Sequence, residues 1–369
     1  MIRTARFYQI LLLTIVGFVF SCSPSSNERV ENSEKESYPK NIILLIGDGM
    51  GVTQVYAGMT ANKGKLNLEE TQYVGLSKTY SASNYITDSG AGGTAMSIGK
   101  KTYNGAIGVD KDSVLHKNIL EIYDESGKST GVISTSSITH ATPASFIAHR
   151  KSRHDYEGIA EDFLASPVDV FIGGGLKHFT EREDQRDITR ELEEKGFDVY
   201  HDLDTAQSSN KNQIAVFTAE GHNPPEMEGR GEMLVEATKL AIDKLSTDED
   251  GFFMMVEGSQ IDWGGHDNDL EYVISEMLDF DRAIGVAMDF AKKNGETLVV
   301  ITSDHETGGL ALTGGNIESG EVEGAFPTGG HTSVMVPVFS YGPGAELFSG
   351  IYENTDIFNF LLQLHKRKE

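Results

Sequence analysis

Residues 41–51 read Asn-Ile-Ile-Leu-Leu-Ile-Gly-Asp-Gly-Met-Gly. The run Ile42 to Ile46 shows no alternation of apolar and polar side chains, so it predicts a strand buried on both faces. Gly47-Asp48-Gly49 then predicts a tight turn with one carboxylate at the strand's end. Ligands of open α/β sheets bind outside the carboxyl ends of the strands. This one stretch therefore predicts both a fold and the edge of that fold where Asp48 would work.

Working outward, similar short runs recur at Gly131–Ser134, Val168–Ile172, Ile214–Phe217, Phe252–Val256, Thr297–Thr302 and Val336–Ser340. Helical patterns lie between them. The clearest runs from Leu270 to Lys292, with Val273, Ile274, Met277, Leu278, Ile284, Met288 and Ala291 at helical spacing. The alternation predicts an α/β fold: a three-layer sandwich with a central, mainly parallel β-sheet flanked by helices. No internal repeat or composition break divides residues 39–369, which are read as one domain. Stretches near 201–230 and 312–332 are rich in Gly, Asn and Glu and are expected as loop insertions.

Composition narrows the function. The 369 residues carry 56 acidic and 31 basic side chains, a formal charge of -25, with 38% hydrophobic residues. That is enough apolar material for a core, and too acidic a body for nucleic acid as a stable partner. Arg3 and Arg6 precede the apolar run Ile10 to Phe20, too short to span a bilayer, which ends at Ser21-Cys22. Residues 1–21 resemble a bacterial lipoprotein signal peptide and residues 22–38 a polar linker. The plainer alternative is a cleaved signal with an incidental cysteine. The expectation is export to the periplasm or cell envelope, with membrane contact only through a lipid on Cys22. As the sole cysteine, Cys22 excludes an intramolecular disulfide.

Three strands end in acids: Asp48, Glu257-Gly258 and Asp304-His305. Any one of them could simply cap the next helix; three together, one beside a histidine, point to a metal site. Asp262 and His266 stand four apart, on one helical face or in a turn distorted by Gly264 and Gly265. His331 lies in a Gly-Gly-His-Thr loop. Imidazole with carboxylate suits zinc, and an all-oxygen set suits magnesium. Ser89, among small residues, is expected at a helix N-terminus, as a nucleophile or only as a cap. His140, Thr142, His149, Arg150 and Arg153 crowd one segment, and either arginine could hold an anionic substrate. His116, His178, His201, His222 and His365 are read as ordinary surface or loop residues.

Six blocks in order resemble the alkaline phosphatase family: GDGMG (47–51), TDSGAGGTA (87–95), THATPASFIAHRKSR (139–153), VEGSQIDWGGH (256–266), TSDHETGG (302–309) and GGHT (329–332). They span about residues 40–342. The resemblance implies hydrolysis of small phosphate monoesters through a phosphoserine on Ser89, with Arg153 rather than Arg150 clamping the phosphate. It implies two Zn²⁺, one on Asp262, His266 and His331 and one on Asp48, Asp304 and His305. It implies one Mg²⁺ on Asp48, Thr142 and Glu257, and a homodimer as a family habit. His140 and Trp263 stand where some relatives have aspartate and lysine, just behind the third site, where zinc or cobalt could replace magnesium. Other readings are a phosphodiesterase or sulfuryl-transfer hydrolase on the same scaffold, and a non-enzymatic phosphate- or metal-binding protein.

Overall fold

The apolar run Ile42 to Ile46 becomes β1 (Asn41–Gly47), buried at every residue. The computed structural model describes residues 38–366, which belong to one compact unit. After β1 come β2 (Tyr73–Lys78), β3 (Ser129–Ser137), β4 (Val170–Gly174), β5 (Asp198–Tyr200), β6 (Ile214–Ala219) and β7 (Phe252–Gly258). Then follow β8 (Thr297–Thr302), β9 (Glu306–Thr307), β10 (Ala311–Asn316), β11 (Glu321–Ala325), β12 (His331–Thr332), β13 (Val336–Tyr341) and β14 (Gly350–Glu353). Ten of them form one sheet in the order β14-β2-β13-β8-β1-β7-β3-β4-β6-β5. Only β13 runs against its neighbours, β8 and β2.

Side chains of β1 alternate between two cores, which explains why its sequence does not alternate. Ile42, Leu44 and Ile46 join Phe146, Phe163 and Phe171 on one face. Ile43 and Leu45 join Met277, Phe280 and Ile284 of the helix Leu270–Asn294 on the other. Register brings the strand ends level: Ile46 pairs with Glu257 of β7 on one side and with Thr302 of β8 on the other. Asp48, Glu257 and Asp304 thus leave three adjacent strands at one edge. The helices α1 (Val52–Ala61) and α2 (Ser89–Ile98) start near that edge.

The three-layer, mainly parallel architecture is as expected, with local corrections. The strand at 168–172 lies at Val170–Gly174, and that at 131–134 extends over Ser129–Ser137. The 201–230 stretch is not a bare insertion: it contains a short helix, Leu203–Ala206, and the sheet strand β6. The 312–332 stretch is largely the β10–β11 hairpin, mostly exposed, with Leu312 and Val322 half-buried against the core. The expected signal peptide, 1–21, and almost all of the expected linker, 22–38, lie outside the described residues.

One buried ion cluster ties the 220–230 segment to the long helix. Arg230 Nη1 donates to Glu276 Oε1 at 3.1 Å, and Nη2 to Asp279 Oδ2 at 2.7 Å; all three side chains are almost fully buried. Removing one partner of such a group strands uncompensated charge. Arg230→Ala should therefore lower stability by about 3–5 kcal/mol, seen as a lower denaturation midpoint; an unchanged midpoint would refute the role.

Candidate active site

Ser89 is the first residue of α2, and the cap is its neighbour Asp88. Asp88 Oδ1 accepts from the Ala91 N–H at 2.9 Å and the Gly105 N–H at 3.0 Å. The cap frees the serine hydroxyl, which lies 3.3 Å from His305 Nε2 in a buried setting. Glycine lets the helix come this close: a Cβ on Gly92 would stand 2.9 Å from Asp304 Cβ.

Around this point the side chains form three groups whose ligand atoms lie within 4.8 Å of one another: Asp262, His266 and His331; Asp48, Asp304 and His305; Asp48, His140 and Glu257. In the first, Asp262 Oδ1 is 3.4 Å from His266 Nε2 and 3.5 Å from His331 Nε2, and the two nitrogens are 3.1 Å apart. Ligands sharing a tetrahedral zinc at about 2.0–2.1 Å would stand about 3.3–3.4 Å apart. In the second, His305 Nε2 is 3.2 Å from Asp304 Oδ2 and 3.5 Å from Asp48 Oδ1, and Ser89 Oγ completes a fourth corner. Asp48 Oδ1, Asp304 Oδ2 and Glu257 Oε1 are buried with no hydrogen-bond partner. Buried polar atoms are normally satisfied, so three orphan oxygens aimed at one place fit bound cations. The other oxygen of Glu257 is held by Ser134 Oγ at 2.5 Å and Ser259 Oγ at 2.6 Å, which turns the free one inward.

Asp262 and His266 share a face of a regular helix, Ile261–Asp267, rather than a distorted turn. Thr142 lies beside the third group, its hydroxyl 3.5 Å from Asp48 Oδ2. Arg153 turns to the site, donating from Nη1 to Asp88 Oδ2 at 3.0 Å with Nη2 3.2 Å from His140 Nε2. Arg150 does not: it is engaged by Asp162, Nε to Oδ2 at 2.8 Å.

Two histidines read as ordinary prove otherwise. The His222 ring packs edge-on to His140 and Trp263, with centroids 5.5 and 4.9 Å away, and its Nδ1 accepts from the Ser137 N–H. His178 sits behind, bonded to Thr139 and stacked on Tyr156. His116 is paired with Asp110. Thr307, also missed, donates to Asp262 Oδ1 and lies 3.3 Å from His305 Nδ1, joining two groups. No local pattern marks these contacts; only the "DHET" spacing placed Thr307 near the acids.

The family profile of alkaline phosphatases matches residues 39–322. The chain belongs to the alkaline phosphatase family. Alkaline phosphatase 3 of Bacillus subtilis (strain 168) is 38% identical, with 90% of each chain covered. The solved alkaline phosphatase of the Antarctic bacterium TAB5 is 47% identical, covers 89% of this chain and 99% of its own, and superposes with a TM-score of 0.85. A histidine-to-aspartate mutant of that protein has been solved with Mg bound in its M3 site. The Thermus thermophilus alkaline phosphatase, 22% identical with a TM-score of 0.80, shares the fold. This chain is thus a metal-dependent hydrolase of phosphate monoesters.

In the metal-free phosphatase the acids repel one another. Burial, with the charges of Asp304, Asp262 and Glu257, pushes the Asp48 carboxyl up. Burial pushes Glu257 up to about 7, and burial with the charge of Asp262 pushes Asp304 up to about 6. The hydrogen bond that its imidazole donates to Asp262 raises His266 to about 9. Burial would raise Asp262 too, but the bond from His266 and the neighbouring imidazoles outweigh it and hold it low. Groups raised on folding stabilise the metal-free fold below their ordinary values and lose that contribution as pH climbs through about 6, 7 and 9. Cations require the deprotonated forms. The gap in melting temperature between metal-loaded and stripped enzyme should widen steadily from pH 5 to about 9; a constant or narrowing gap would contradict it.

Proposed function

We propose that hydrolysis proceeds through a phosphoserine on Ser89, with two Zn²⁺ and one Mg²⁺ held by the three groups. Asp262, His266 and His331 would hold the first zinc, Asp48, Asp304 and His305 the second, and Asp48, Thr142 and Glu257 the magnesium. The observation that carries the reading is Ser89 Oγ, at a helix N-terminus and 3.3 Å from His305 Nε2, facing orphan carboxylate oxygens. His140 has a nitrogen within ligand range of the third group, and Nδ1 is buried without a partner. An imidazole there favours zinc or cobalt over magnesium more than an all-oxygen set would.

Arg153, oriented by Asp88 and His140, would hold two non-bridging phosphate oxygens with its planar fork. Ser89 Oγ gives up its proton to solvent and attacks phosphorus; the ester P–O bond breaks, and the leaving oxygen takes a proton from solvent and departs as the alcohol. A water oxygen then attacks the phosphoserine, the Oγ–P bond breaks, and inorganic phosphate is released with Ser89 restored. The cations would lower the pKa of the serine hydroxyl and of that water, and neutralise charge on the leaving oxygen. The helix N-terminus adds favourable potential for the phosphorylated serine.

Ser89→Ala should lower kcat on p-nitrophenyl phosphate by about 10³-fold or more and abolish phosphoenzyme; full turnover would overturn the assignment. Faster cleavage of the bis ester than of the monoester would favour a diesterase.

We also propose export by residues 1–21 and lipid anchoring at Cys22, with assembly as a homodimer. Support for export and the anchor comes from the sequence of 1–22 alone, and support for the homodimer from the resemblance to the family alone; among the described residues no helix is long and apolar enough to cross a membrane. Mass spectrometry of the membrane fraction should find a mature chain beginning at lipid-modified Cys22. An unmodified Cys22, or a start beyond it, would exclude the anchor.

A further inference from the structure

His331 reaches the first group differently from its partners. Asp262 and His266 share one helix, whereas His331 returns from an excursion, 308–330, that carries the exposed β10–β11 hairpin. A ladder of two residue pairs holds the return: His331 with Thr307 and Thr332 with Glu306. Isolated two-stranded pairings are marginal in water, so something else must fix the loop where the imidazole has to be within a fraction of an ångström.

The Glu306 side chain is placed to do so. It is 2% exposed, and it belongs to none of the three candidate metal groups. Its Oε1 accepts from Gln54 Nε2 at 2.7 Å and from the Leu310 N–H at 3.2 Å, and its Oε2 accepts from the Thr332 hydroxyl. These partners are the first turn of α1, the outgoing end of the excursion and the residue after His331. Gln54 is fixed in turn: Nε2 also donates to the Thr307 carbonyl at 3.0 Å, and Oε1 accepts from the Gly51 N–H at 3.1 Å. Gly51 makes room for the pair, since a Cβ there would stand 2.5 Å from Glu306 Cγ and 2.7 Å from Gln54 Oε1. All three donors to the carboxylate are uncharged, so directional hydrogen bonds hold it. With Thr332 fixed, His331 Nδ1 lies 2.9 Å from the Thr87 carbonyl and the ring stacks on His305, leaving Nε2 for the metal group.

We propose that Glu306 is a positioning residue: it clamps both ends of the excursion to α1 and thereby sets the affinity of the first metal group through His331. The proposal rests on His331 being a ligand of that group. Outer partners of metal ligands typically change metal affinity 10–100-fold when removed. Glu306→Gln keeps the clamp, because its amide oxygen can face Gln54 and Leu310 while its NH₂ donates to the Thr332 hydroxyl.

The test titrates Zn²⁺ back into stripped enzyme against a chromophoric chelator, with folding followed by circular dichroism. His331→Ala serves as the benchmark. Glu306→Ala should weaken the same Zn²⁺ that His331→Ala weakens, by about 10–100-fold, with kcat largely recovered at saturating Zn²⁺; Glu306→Gln should stay within about threefold of the parent. Thr332→Val removes one hydrogen bond and should shift affinity the same way by less, which carries the test if Glu306→Ala does not fold. Unchanged Zn²⁺ affinity in folded Glu306→Ala or Thr332→Val, or equal damage from the alanine and glutamine variants, would overturn the clamp. Unchanged affinity in His331→Ala would instead overturn the ligand reading and the proposal with it.

Discussion

Asp48, Glu257, Asp262 and Asp304 are buried together at the ends of adjacent elements, and Arg153 is the guanidinium that faces them. Packed carboxylates of like charge in a poorly solvated pocket oppose folding unless they take up protons or meet cations. The orphan oxygens on Asp48, Glu257 and Asp304 show that hydrogen bonds do not meet this demand. The site is thus built for cations, and its neighbours serve that end: Ser134 and Ser259 turn Glu257, Thr307 joins Asp262 to His305, and Asp88 and His140 aim Arg153.

The same constraint reconciles a body of charge -25 with an anionic substrate. The long-range field repels phosphate, but within the site the three divalent cations proposed above, with Arg153 and the N-terminus of α2, would outweigh the four acids. Capture is local rather than steered from a distance. Of the other buried acids, Glu276 and Asp279 face an internal arginine, and Glu306 and Asp281 are held by uncharged donors.

Much of this was legible in the chain. β1, β7 and β8 are continuous apolar runs because both of their faces are covered, and each delivers an acid at its carboxyl end. The family blocks carried Ser89, Arg153 and the candidate nitrogen ligands His266, His305 and His331. The hairpin β10–β11 escaped because only Leu312 and Val322 turn to the core, too few apolar side chains to mark a period in the sequence. His222 escaped because its neighbours His140 and Trp263 are distant in sequence, and Glu306 because its meaning lies in Gln54 and Thr332.

By itself the sequence determined which segments are buried strands and which acids stand at their ends, since apolar runs and turn residues are local properties of the chain. Only the tertiary structure decided which atoms share a corner, that Arg153 turns inward while Arg150 is engaged elsewhere, that Asp88 caps the helix Ser89 begins, and what returns His331 to Asp262. Those outcomes depend on hydrogen bonds such as Gln54 to Glu306, 252 positions apart, which no local pattern encodes.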